Sequence, residues 1–339
     1  MSDGRTCRKP SAYLVLVQNN VSDISRASLE KPVNFYSLDI LNVTESPTTV
    51  DIDQRGSYIV YGYSSAKYGY IRRVSFTGVL SETIISDSSL VGMHSLSVEW
   101  ISRNIYWSNP VRGRIEVFNR TGKYRRTIAS HSIRPTSLVV HPLRMPLSGD
   151  AFGDVDILGD LTSVRSLAID FRKELLYWTE SSDFTNSIFA SRLDGLSRQL
   201  IYGGTDHSPN LLFHFNHRLY YSDDKHNTIG FHNDRELVTL HENISNVTVL
   251  LIHHGRATSD SNPCTYELSD CPQLCLRRLV ANVIAFAQTT SPSTRTLFAK
   301  SPTQILIYLC GSNRRHQQIA DTDGVHTYVM FKMYSVMVQ

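Results

Sequence analysis

Cysteine is scarce in this chain, five in 339 residues, and none falls between Cys7 and Cys264. Whatever fold occupies that span rests on packing, not on cross-links. Charge is modest too: Asp, Glu, Lys and Arg make up 19% of the residues and the net charge is +3. That near balance gives no electrostatic reason to expect nucleic acid or an anionic membrane as a partner. No apolar run reaches the roughly 18–20 residues of a spanning helix. Where a signal peptide would have a charged start and a longer apolar core, there is only Tyr13-Leu14-Val15-Leu16-Val17. Neither export nor anchoring is legible in the chain itself. Catalytic motifs are missing as well: no Gly-x-Ser-x-Gly, no His-Glu-x-x-His and no phosphate-cradling glycine loop, with Gly203-Gly204 reading as a turn. No enzyme activity, cofactor or metal is expected.

What the chain does have is a recurring set of short runs rich in branched and aromatic residues, each bounded by Gly, Asp, Asn or Ser. Such runs read as strands. From Ser166 to Gly204 they come as Ser166-Leu167-Ala168-Ile169-Asp170, a second run ending Tyr177-Trp178-Thr179-Glu180, a third from Ser187 to Gly195, and a fourth around Leu200-Ile201-Tyr202. Asp194-Gly195 carries a two-residue hairpin signal, because a type I′ turn needs positive φ at both central positions. The same order returns around Tyr61, Tyr106 and Tyr220. Tyr61 and Tyr106 lie 45 positions apart, and Tyr177 and Tyr220 lie 43 apart. A turn glycine leads an isoleucine by six positions in three copies: Gly78 to Ile84, Gly122 to Ile128, Gly195 to Ile201. A four-stranded unit of this length cannot bury both its faces alone, and its repetition is the signature of β-propeller blades.

Tyr177-Trp178-Thr179-Glu180, Tyr106-Trp107-Ser108-Asn109 and Tyr220-Tyr221-Ser222-Asp223 resemble the Tyr-Trp-Thr-Asp repeat of low-density lipoprotein receptor-related proteins. The fourth residue of that repeat is Asp, and only Asp223 keeps it, where Asn109 and Glu180 depart. The resemblance runs from about Cys7 to Cys275 and implies an all-β, six-bladed propeller followed by an EGF-like module. Cys264, Cys271 and Cys275, six and three residues apart, resemble that module's opening, which is truncated here. The resemblance implies a disulfide between Cys264 and Cys275. Cys7 reads equally as the end of a preceding EGF-like module or as a free thiol. The expected division is residues 1–11 for that preceding end, 12–260 for the propeller, 261–276 for the truncated module and 277–339 unassigned and poorly ordered.

Blade four, about residues 136–165, breaks the pattern. The inner-strand acids Asp53 and Glu99 are 46 apart and Glu99 precedes His141 by 42, but only 29 separate His141 from Asp170. The aromatic motif expected after His141 is absent. This predicts a shortened fourth blade with open edges, from a skipped exon or faulty gene model rather than evolved shortening, and a chain that folds poorly.

Trp107, Trp178, Tyr106, Tyr177, Tyr220 and Tyr221 hold a fixed place in the repeat, which predicts packing between blades and not ligand stacking. Five glycosylation sequons, at Asn20, Asn42, Asn119, Asn243 and Asn246, suit an extracellular home. Eight of the 13 histidines lie from His207 to His254. No recognised ligand spacing joins His241, His253 and His254 to a carboxylate or thiol, so no metal is assigned. The eight read first as scattered loop histidines and second as a pH switch, with His226, His232 and His241 as its candidates.

In function the resemblance implies the extracellular part of a plasma-membrane endocytic receptor whose signal peptide and membrane segment lie outside this chain. Its partners would be secreted proteins or lipoproteins and other modules of the same receptor, with release at acid pH. The alternative is a protein-interaction propeller of the nidogen-like matrix or Wnt co-receptor kind.

Overall fold

The computed structural model describes residues 12–19, 24–29, 35–38, 45–100, 102–130, 134–141, 154–161, 164–181, 186–193, 195–233, 236–254, 275–276, 283–291, 294–300 and 307–308. Most of them lie in antiparallel strands. Strands β1 (Ala12–Gln18), β2 (Ile24–Ser28) and β3 (Phe35–Leu38) form the first sheet. The next is β4 (Thr49–Asp53), β5 (Tyr58–Ser64), β6 (Gly69–Ser75) and β7 (Ser81–Ser86), followed by β8 (Ser95–Val98), β9 (Ile105–Asn109), β10 (Arg114–Phe118) and β11 (Arg125–Ser130). After β12 (Pro135–His141) and β13 (Asp154–Leu161) come two more sheets. One holds β14 (Val164–Asp170), β15 (Leu175–Ser181), β16 (Asn186–Arg192) and β17 (Gln199–Gly204); the other holds β18 (Pro209–Phe215), β19 (Arg218–Asp223), β20 (Thr228–His232) and β21 (Leu237–His241). Strand β22 (Val247–His254) returns to the first sheet, pairing His253 with Tyr13 and Leu250 with Leu16. The inner strands β4, β8, β12, β14, β18 and β22 lie side by side in that order, and β22 meets β4 again.

The expectation of six repeat blades, the fourth shortened, with an EGF-like segment behind them is corrected here. Among the described residues five four-stranded blades carry the repeat. Between β11 and β14 stands a sheet of different make, in which β12 and β13 are the outer members of the order β12-β24-β25-β13. Its middle is the hairpin β24 (Val283–Ser291) and β25 (Thr294–Lys300), from the stretch to which the sequence assigned no fold. The open edges foreseen at this place are thereby paired: β12 with β24, β13 with β25. Partners more than a hundred residues apart leave no local pattern to read. No EGF-like fold is seen among the described residues: Cys264 and Cys271 lie outside them, and Cys275 begins the two-residue strand β23 (Cys275–Leu276), paired with β26 (Ile307–Tyr308).

The outer hairpin turns differ from the two-residue form as well. Gly195 N–H donates to the Arg192 carbonyl at 2.9 Å and Arg192 N–H to the Leu196 carbonyl at 2.9 Å, which leaves three residues in the loop. Gly78 and Gly122 close four-residue loops in the same way. All three glycines sit at φ 73 to 80°, the left-handed region that such loops need at this position.

Period-2 alternation explains why the repeat carries two aromatics in a row. Tyr106 packs with Leu138 and Val140 of β12, whereas Trp107 packs with Val60 and Ile71 of the preceding blade. Tyr177 likewise joins Leu212 and Leu219 ahead of it, and Trp178 joins Val139 behind it. Tyr220 and Tyr221 divide the same way, toward β1 and toward β14–β17. One aromatic serves each interface. All six are buried, and Trp107, Trp178 and Tyr221 have no exposed surface. Full burial of a side chain of this size is worth roughly 1.5–3 kcal/mol.

Hydroxyls link the blades in a second layer of contacts. The third motif residue accepts an inner-strand N–H within its own blade: Ser108 Oγ from Ser95 at 3.2 Å, Thr179 Oγ1 from Ser166 at 3.1 Å, Ser222 Oγ from Leu211 at 3.1 Å. The inner strand's own hydroxyl then accepts from its neighbour. Leu96 N–H donates to Thr49, Leu138 N–H to Ser95 and Leu212 N–H to Ser166, at 3.1, 3.2 and 2.9 Å. At the ends of these inner strands Asp53, Glu99 and Asp170 accept the N–H groups of the turns that follow.

Candidate functional site

The fourth motif position, where the blades differ in residue type, is where local chemistry diverges. In β9, Asn109 Oδ1 accepts from the Arg112 N–H at 2.9 Å and its Nδ2 donates to the Val91 carbonyl at 2.8 Å. In β15, Glu180 Oε1 accepts from Trp178 Nε1 and from Arg198 Nη2, both at 2.7 Å. In β19, Asp223 ends its strand with no exposed side-chain surface. Its Oδ1 accepts from the N–H groups of Ser208 at 3.0 Å and Lys225 at 2.9 Å. Oδ2 faces two imidazoles, His207 Nδ1 at 2.6 Å and His226 Nδ1 at 2.9 Å. Because an ionised carboxylate only accepts, both Nδ1 atoms carry the hydrogens.

Burial alone would push the Asp223 carboxyl up; the hydrogen bonds from His226, the Ser208 N–H, His207 and the Lys225 N–H outweigh it and hold the pKa at about 2. His207 comes from the link between β17 and β18, Asp223 ends β19, and His226 lies in the β19–β20 turn. The rings of His207 and His226 lie 5.0 Å apart, and the His207 ring also meets Tyr202 and Tyr221 edge-on. The Lys225 ammonium turns away to the Thr205 carbonyl at 2.7 Å.

Of the three histidines singled out as a switch, only His226 belongs to this cluster. His241 is buried on β21 with Nε2 2.9 Å from the Ser28 carbonyl, and His232 ends β20 opposite Leu219. His253 packs between Tyr13 and Phe76, at 5.0 and 4.1 Å between ring centroids, and His254 stacks on Phe215. The triple that does converge, His207, Asp223 and His226, went unseen in the sequence. Its one local signal is a histidine three residues past the motif acid; the second histidine lies 16 residues upstream.

Among the sequons, Asn20 and Asn42 lie outside the described residues. Asn243 and Asn246 are exposed, whereas Asn119 is 5% exposed and its Oδ1 accepts from the Thr121 hydroxyl. An aromatic cluster without a sequence signal gathers Tyr63, Tyr68 and the buried Tyr70 at one end of β5 and β6. The hydroxyls of Tyr68 and Tyr70 both donate to Glu45, and Arg72 lies over the Tyr70 ring at 4.5 Å.

Fold and repeat together define an all-β propeller. No protein-family profile matches the chain. Two of its relatives in sequence are receptors. The chain is 24% identical over 265 residues to the vitellogenin receptor of Solenopsis invicta, covering 71% of this chain and 14% of that protein. It is 22% identical over 301 residues to the vitellogenin receptor Yl of Drosophila melanogaster, covering 81% and 15%. The chain thus spans about one seventh of the length of the curated relatives it matches. Among solved structures, a chain of a nidogen–laminin complex superposes with a TM-score of 0.46 at 18% identity, over 73% of this chain and 100% of that one.

Proposed function

We propose that this chain is a ligand-binding propeller of an extracellular, endocytic receptor related to the low-density lipoprotein receptor-related proteins. The observation that carries the reading is the alignment with two vitellogenin receptors over 71% and 81% of the chain. The aromatic motif at the same place in three blades supports it. In this reading the chain is a binding module and not an enzyme, its ligands are secreted proteins or lipoproteins, and a vitellogenin-type protein is the first to test. Other modules of the same receptor are further partners. Membrane attachment is through parts of the receptor outside this chain. Release on acidification belongs to the proposal as the resemblance implies it and is assigned to no particular histidine.

The test is surface plasmon resonance with the full chain immobilised and vitellogenin from the animal that makes it as analyte. Saturable binding tighter than about 10 μM is expected. A monodisperse chain that binds neither vitellogenin nor any other secreted lipoprotein of that animal in this range overturns the reading.

A further inference from the structure

The described residues bring together one set of three metal-ligating side chains, His207, Asp223 and His226, whose ligand atoms all lie within 4.8 Å of one another. We propose that they form a binding site for a single zinc-class divalent cation, held by Nδ1 of His207, Oδ2 of Asp223 and Nδ1 of His226.

Geometry, ligand chemistry and surroundings each support this. Around a tetrahedral ion with bonds of about 2.0–2.2 Å, neighbouring ligand atoms stand about 3.3 Å apart. The two imidazole nitrogens already stand 2.6 and 2.9 Å from the shared carboxylate oxygen. Admitting an ion asks each ring to withdraw by about half an ångström from Oδ2. Both rings have room for it, with 27% and 46% of their side-chain surface exposed.

Ligand protonation sets one requirement. To coordinate through Nδ1 each ring must be in the tautomer with its hydrogen on Nε2, so the Nδ1 hydrogen that now faces Oδ2 has to pass to solvent or to Nε2 as the ion enters. Asp223 needs no reorientation. Its Oδ1 is pinned by the Ser208 and Lys225 N–H groups, the kind of outer support that fixes a metal-binding carboxylate, and Oδ2 is the oxygen left for the ion.

Two imidazoles and one carboxylate make an N2O set, suited to zinc and its transition-metal neighbours. Calcium and magnesium, which take six or more oxygens, are poorly served by it. Three protein ligands leave a fourth position on the exposed side for water or for a side chain of a bound partner. An ion here would tie the β17–β18 link to the β19–β20 turn.

The experiment uses the full chain, stripped with EDTA and with its cysteines alkylated, titrated with Zn2+ by calorimetry and followed by thermal melts. Binding of one equivalent of Zn2+ is expected, with a rise in Tm; Ca2+ should do neither. His226→Gln and His207→Gln change exposed or half-exposed rings and spare the turn contacts of Asp223, so each should fold. Each should weaken the zinc site at least tenfold and abolish the Tm rise, and Co2+ loaded in place of Zn2+ should lose its tetrahedral absorption bands in both. If both variants bind zinc as the parent does, or if the parent has no saturable site tighter than about 100 μM, the proposal is overturned and the cluster is an ion-paired turn and nothing more.

Discussion

The indole nitrogen of Trp178 donates to Glu180 at 2.7 Å, whereas that of Trp107, at the same place in its blade, has no acceptor among the described residues. The difference lies two residues downstream. Glutamate at 180 is long enough to turn back to the indole, while the shorter Asn109 is engaged with Arg112 and Val91. In both blades an arginine covers the ring face, Arg198 at 5.6 Å and Arg125 at 5.2 Å.

Glu180→Ala should therefore cost about 1–3 kcal/mol, because it strands a buried indole N–H. Glu180→Gln retains an acceptor and forfeits mainly the pairing with the part-exposed Arg198, a loss of up to about 1 kcal/mol. Urea denaturation midpoints of the two variants separate the contributions. Equal losses would mean that the indole bond adds nothing.

Ser166 joins two blades through one hydroxyl, accepting the Leu212 N–H while its own N–H donates to Thr179. Ser166→Ala leaves the Leu212 N–H buried without that acceptor and should destabilise by about 1–3 kcal/mol. Ser166→Thr keeps the oxygen and should recover part of the loss. Hydrogen exchange at Leu212 is the direct readout: its protection should fall in the alanine variant. Unchanged protection would show that the hydroxyl does not join the blades.

Acid should loosen the closure of the ring. His253, on β22 opposite Tyr13 of β1, has its pKa pushed down to about 4, first by burial and then by the neighbouring His254. A base whose folded value lies below its unfolded value stabilises through its neutral form. That contribution is complete above about pH 6.5 and is lost as pH falls toward 4, with a size on the order of 2 kcal/mol. His253→Phe keeps a ring between Tyr13 and Phe76 and removes the proton site. Its stability at about pH 4.5 relative to about pH 7.5 should fall less than the parent's by that amount; identical slopes would rule out His253 as the cause.

In a secretory host, glycan mapping should find modification at Asn243 or Asn246 and none at Asn119. The first two side chains reach solvent, and the third is folded into its own turn with Thr121. Occupancy at Asn119 would mean that this turn opens before the blade forms.

Much of the blade architecture was legible because each interface draws one aromatic from a pair, and the pair stands in the sequence as Tyr106-Trp107, Tyr177-Trp178 and Tyr220-Tyr221. The hydroxyl contacts were half visible, as a Ser or Thr after each pair. What could not be read were pairings between distant segments. β12 meets β24, and β1 meets β22, through backbone groups that carry no residue code. His207 reaches Asp223 for a similar reason, since a blade-to-blade link brings it there and no spacing rule does.

The pairing of β1 with β22 also sets a clock for the nascent chain. Strand β1 is complete at residue 18, but its partner is not finished until residue 254. At about 5–20 residues per second, that wait is roughly 10–50 s. Throughout it Leu14, Val15, Leu16 and Val17, all buried in the finished ring, belong to a strand lacking its inner neighbour. An apolar edge held open that long is a target for other chains before it is a target for β22. Recovery of soluble protein should accordingly follow translation speed and the supply of holding chaperones more closely than it follows the stability of the closed ring.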